Sequence, residues 1–136
     1  MKKIVVLLAV VVFNLSLYAC AAFSEARDVN DNAVTWTIYI EENSKSKKCV
    51  DEANSQLRKE GHANVISNAS TPLNHGFWAV VFAYYEVNGS IRFRHGFGFS
   101  KVSKEDAEKD AVKNLAKYDT EWTKEKGYKL KESGAF

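Results

Sequence analysis

The chain has little of what usually builds a reactive centre. Two cysteines, Cys20 and Cys49, are too few for a disulfide scaffold or a thiolate metal site. The three histidines, His62, His75 and His95, are scattered and do not show the short repeated spacings of a metal site, so no metal ligand set and no cofactor is predicted. No glycine-rich phosphate loop occurs, because Gly96-Phe97-Gly98 lies within a strand-like run, where glycine marks close backbone approach or a bulge. Cys49 has no motif joining it to a histidine, and Glu41-Glu42 read as a strand end, so no catalytic residue is assigned. The single proline, Pro72, sits in Ser70 to Gly76, the stretch richest in turn residues and the expected exposed loop. No internal repeat stands out.

An excess of one charge is also missing. Removing Lys2 and Lys3, which fall in an amino-terminal targeting segment, from the 19 basic residues leaves 17 against 17 acidic ones. The remainder is near neutral, so composition disfavours nucleic acid, and contact with a membrane is expected only through a signal or lipid anchor.

What is present begins with that targeting segment. Met1-Lys2-Lys3, the apolar run Ile4 to Phe13, and small residues around Ala19 to Ala22 have the form of a bacterial export signal over 1–19, with cleavage possible up to 22. Leu17-Tyr18-Ala19-Cys20 also resembles a lipoprotein signal, making Cys20 a possible lipid attachment site. A Cys20–Cys49 disulfide requires that Cys20 stay unlipidated, whereas the apolar-facing position of Cys49 on the next helix suits a single buried thiol. Residues 20–32 read as a mobile leader and 33–136 as one domain, within a remainder of roughly 115 residues that suits a single core.

Ala33 to Ile40 alternates as a half-buried strand, with Val34, Trp36, Ile38 and Ile40 on one face. Val50, Ala53 and Leu57 stripe a helix from about Ser46 to Glu60, and Gly61 supplies its stop. His62 to Asn68 is a short edge-strand candidate, as is the segment around Tyr128 to Lys131. Phe77 to Val87 is β-branched and aromatic and runs into Asn88-Gly89, the dipeptide suited to a two-residue hairpin turn. That turn predicts the pairs Tyr85 with Arg92, Ala83 with Arg94, Val81 with Gly96 and Ala79 with Gly98. Ser103 caps a second helix striped by Ala107, Ala111, Leu115 and Tyr118.

The fold expected is α+β: an antiparallel-rich sheet of about four strands with two helices on one face, or alternatively a ferredoxin-like arrangement. In the hairpin register Trp78, Val80, Phe82, Tyr84, Phe93, His95, Phe97 and Phe99 share one face, which is assigned to the core and helices. His95 then reads as a buried, hydrogen-bonded histidine. The opposite, small face is left open, and Phe77, Tyr85, Arg92 and Arg94 on it become the candidate binding residues for an envelope protein, peptide or glycan.

From Ser46 onward the order is helix, three strands, helix. With Gly96-Phe97-Gly98-Phe99-Ser100-Lys101 leading into an alanine-striped helix, this resembles a double-stranded-RNA-binding domain. The resemblance implies a fold relation. The lysine cluster that such domains place at the start of the last helix is here only Lys101 and Lys104, mixed with Glu105, Asp106, Glu108 and Asp110. The function expected is therefore an exported, non-enzymatic binding module of the bacterial envelope; duplex-RNA binding and a small envelope hydrolase are the alternatives.

Overall fold

A computed structural model of the chain describes residues 19–136; the export-signal reading of the first 18 lies outside the described residues. The described residues form β1 (Ala19–Arg27), β2 (Ala33–Glu42), α1 (Ser46–Lys59), β3 (Val65–Thr71), β4 (Phe77–Val87), β5 (Ser90–Ser100), α2 (Lys104–Tyr118), a 3-10 turn (Lys124–Lys126) and β6 (Lys129–Ala135). The class is α+β, as the sequence indicates. The strands, however, divide into two three-stranded antiparallel sheets, ordered β2-β1-β3 and β5-β4-β6.

Each sheet is built the same way. A hairpin leads into a helix, and the strand after the helix returns antiparallel to the far side of the first strand. The helices bury matching stripes at i, i+4 and i+8: Cys49, Ala53, Leu57 on α1 and Ala107, Ala111, Leu115 on α2. The chain thus contains an internal structural repeat that its sequence does not display. Alternating small and large residues are compatible with many side-chain choices, so the topology recurs without recurring letters.

The hairpin follows the predicted register throughout, turning at Asn88 (φ 50°) and Gly89 (φ 78°). Ser103 caps α2 by accepting the Asp106 N–H at 3.0 Å. Beyond α1, Gly61 takes φ 95°, and the His62 N–H reaches the Leu57 carbonyl at 3.1 Å.

The assignment of sheet faces needs correction. The bulky face of β4 and β5 meets the other sheet: Phe23 packs against Phe97 at 4.7 Å between ring centroids and Phe99 at 5.0 Å, and Trp36 lies 6.0 Å from Trp78. The small face receives α2, over a core of Ala79, Val81, Ala83, Tyr85, Ala107, Ala111, Leu115 and Trp122. Each helix therefore covers the outer face of its own sheet, and the two helices do not share one face. Close helix approach requires small strand residues, whereas two facing sheets leave a wider gap that aromatic rings fill. A Cβ at Gly96 would lie 2.8 Å from the Leu115 Cβ, and one at Gly98 would lie 2.8 Å from the Ala111 Cα, so close approach explains both glycines.

A second correction concerns 20–32. Ala19–Arg27 is the central strand of the first sheet, buried from Ala19 through Ala26, so the folded domain includes it and does not start at residue 33. Ala-Cys-Ala-Ala resembles a processing site because its residues are small. In the fold, the same smallness lets α1 press on Cys20 and Ala22 while Phe23 points into the aromatic layer. Cys20 and Cys49 are joined in a disulfide, with Cα atoms 6.0 Å apart, so Cys49 is not a free thiol. A sulfur so bonded has no valence left for a thioether, which makes lipid attachment at Cys20 and this disulfide mutually exclusive.

Candidate functional site

The four residues predicted to form an open binding face do not form one. Tyr85 (5% exposed) and Arg94 (7%) are buried, while Phe77 is partly buried against the α2 core and Arg92 is half-buried beside Glu121. The Tyr85 hydroxyl donates to the Asp119 carboxylate just past α2. Burial, and then the Asp119 carboxylate, push the Tyr85 phenol well above its ordinary value, so it stays protonated. Arg94 donates to the Asp31 backbone carbonyl at 2.5 Å and to that of Phe93 at 3.0 Å. These groups anchor α2 and the β1–β2 turn to the hairpin.

A second polar cluster crosses the gap between the sheets. Glu25 is fully buried on β1; one carboxylate oxygen lies 2.8 Å from Nδ1 of His95 and the other accepts from Nε of Arg27 at 2.7 Å. Desolvation works to lower the Arg27 pKa, but hydrogen bonds and charge from Glu25 and Asp31 raise it on balance, so the guanidinium stays protonated. Every buried side-chain nitrogen and oxygen among the described residues has a hydrogen-bond partner. His95 is thus hydrogen-bonded as expected, with its ring largely covered although the residue as a whole is only partly buried. The recess next to it is about 10 Å³, room for no more than a water molecule. His75 lies in the exposed loop before β4, and no cluster of three metal-ligating side chains occurs among the described residues.

An open concave surface lies elsewhere, between the edge strand β3 and the flank of α2. It is a groove of about 490 Å³ floored by Phe99, with Ser67, Ser70 and Thr71 along one wall and Asp110, Asn114 and Tyr118 along the other. Asp110 and Asn114 stand one helical turn apart and also close the free edge of β5. Asp110 accepts the Phe99 N–H at 3.0 Å, and the Asn114 amide donates to the Phe97 carbonyl at 2.8 Å. Those bonds hold both side chains in place while leaving one acceptor oxygen on each for a ligand. Tyr118, expected in the core stripe, is 59% exposed at the end of the helix, and its ring borders the groove.

None of these groove residues was assigned to a binding site from sequence. Asp110 and Asn114 look like ordinary solvent-face residues of an amphipathic helix, and only the unpaired edge of β5 gives them a role. The one available signal was their i, i+4 spacing next to the apolar stripe.

No known protein family matches the chain, and no curated protein or solved structure matches it either.

Proposed function

We propose that this protein is an exported, non-enzymatic binding module of the bacterial cell envelope, and that the β3–α2 groove takes a polyhydroxylated ligand, a neutral or amino-bearing glycan. The observation that carries the reading is the groove's chemistry. Three hydroxyls on β3 stand across from a carboxylate, an amide and an exposed tyrosine on α2, and the side chains of Ser67, Thr71, Asp110 and Asn114 are fixed by backbone hydrogen bonds. Sugars present hydroxyls at their edges and C–H groups on their faces, and polar side chains on both walls beside an aromatic ring match both. The lone carboxylate, Asp110, selects against anionic sugars. The signal-like segment supports export, and so does the Cys20–Cys49 disulfide, a bond that persists in oxidising compartments. With Cys20 occupied in that bond, the unlipidated form is the one proposed.

Duplex RNA has less support. β3 pairs with β1 and not with β4, so the three strands between the helices do not make one sheet, and carboxylates surround Lys101 and Lys104.

The test is saturation-transfer NMR of the oxidised protein against a panel of neutral, amino and acidic envelope saccharides, repeated with Tyr118→Ala. Because Tyr118 is exposed, its loss should leave stability unchanged and weaken saccharide binding about five- to tenfold, for roughly 1 kcal/mol of aromatic contact. No transfer to any saccharide at millimolar concentration, or transfer that is indifferent to Tyr118→Ala, refutes the reading.

A further inference from the structure

A second groove runs along the other flank of α2, and its chemistry is opposite. It encloses about 600 Å³ between α2 and the segment that leads into β6. Val112, Ala116 and Trp122 form an apolar floor, and Lys109, Lys113 and Lys124 stand on the rim. Trp122 is 4% exposed, and its indole N–H donates to the Gly127 carbonyl at 2.9 Å, which fixes the ring at the bottom of the groove. Lys109 bonds to Asp106 at 3.3 Å, whereas Lys113 and Lys124 form no ion pair among the described residues. At one end Glu108 accepts from the Tyr128 hydroxyl at 3.2 Å, which keeps that carboxylate turned to the tyrosine.

An apolar channel of this size under unpaired cations is complementary to a molecule with an apolar body and an anionic head. We propose that this groove binds a free single-chain amphiphilic anion, an alkyl carboxylate, with its chain on Trp122 and Val112 and its carboxylate between Lys113 and Lys124. The apolar surface is recessed and its largest side chain is buried. A chain must therefore enter the groove to reach it, and the exposed aromatic side chain at its edge, Tyr128, is tied through its hydroxyl to Glu108. The near-neutral total charge conceals this site, because the lysines that line it are balanced by carboxylates elsewhere on the chain.

The experiment is isothermal titration of the full oxidised protein with decanoate below its micelle concentration, alongside decanol and vesicles of anionic phospholipid. Saturable one-to-one binding of decanoate is expected, with tryptophan fluorescence changing in step. The double variant Lys113→Gln/Lys124→Gln should bind roughly fivefold more weakly, the sum of two partly exposed charge contacts. Lys45→Gln/Lys47→Gln, which removes the same charge beside α1, should bind as the parent does, as should Tyr118→Ala in the other groove. The proposal is overturned by an absence of saturable heat, by equal affinity for decanol, by an unchanged Lys113/Lys124 variant, or by binding to vesicles alone. Failure of the glycan test leaves these outcomes unaffected, since the two grooves share no residue.

Discussion

Opening the Cys20–Cys49 bond should remove a large share of this domain's stability. The two residues are separated by 29 positions, and closing a loop of that length in the unfolded chain corresponds to about 3.5 kcal/mol at 25 °C. Domains are stable by only about 5–15 kcal/mol, so the loss is a quarter of the total or more. The bond also joins the central strand of the first sheet to the helix that covers it, and both cysteines are fully buried. The suitable perturbation is Cys20→Ala/Cys49→Ala, because alanine preserves the small volumes that let α1 approach β1. Urea unfolding of the oxidised protein and the double variant should differ by about 3.5 kcal/mol, with a steeper denaturant dependence in the variant as its unfolded state expands. Thermal midpoints should differ by roughly 10–15 °C. A stability difference below about 1 kcal/mol would refute the reasoning, since the cross-link would then not be limiting the unfolded chain.

Three further outcomes follow from the packing. If the chain is exported, intact mass should place the mature amino terminus no later than Cys20, and thiol titration of the unfolded, unreduced protein should find no free thiol; a thiol at Cys49 would show that Cys20 was removed or lipidated. Gly98→Ala drives a methyl group into the Ala107–Ala111 turn of α2 and should cost about 3 kcal/mol, whereas Gly61→Ala, in open space at φ 95°, should cost only about 1 kcal/mol; equal losses in urea unfolding would contradict close packing at Gly98. Because the folded-state pKa of Tyr85 is raised above its ordinary 10.0, the stability it contributes is fully present below pH 10 and is lost as pH rises beyond it; Tyr85→Phe should flatten that alkaline decline and cost about 1 kcal/mol at neutral pH, and a parallel decline in both proteins would exclude the phenol as its source.

Local chemistry was legible in the sequence wherever it decides the backbone. Asn88-Gly89 permits positive φ twice in succession, so the β4–β5 register could be written pair by pair, and Ser103 and Gly61 marked helix ends because capping acts over a single turn. Alternation showed that the hairpin has a small face and an aromatic face. It does not say what covers each, because a helix and a second sheet are both apolar neighbours; that choice was made by the depth of the gap, narrow over Gly96 and Gly98 and wide over Phe97 and Phe99. Ala19–Arg27 was misread because short side chains suit a processing site as well as a strand pressed by a helix, and only its two neighbours, β2 and β3, distinguish them. The groove residues Asp110, Asn114 and Tyr118 carry no sequence mark beyond their i, i+4 spacing beside the apolar stripe. Their arrangement comes from an edge of β5 left unpaired by any strand among the described residues, which two helix side chains satisfy, and from the meeting of that helix with β3, a strand more than thirty residues away in the chain. Element identity and hairpin register were properties of neighbouring residues and so belonged to the sequence; the buried faces, the disulfide and the two grooves depend on contacts between distant segments, and only the tertiary structure decided them.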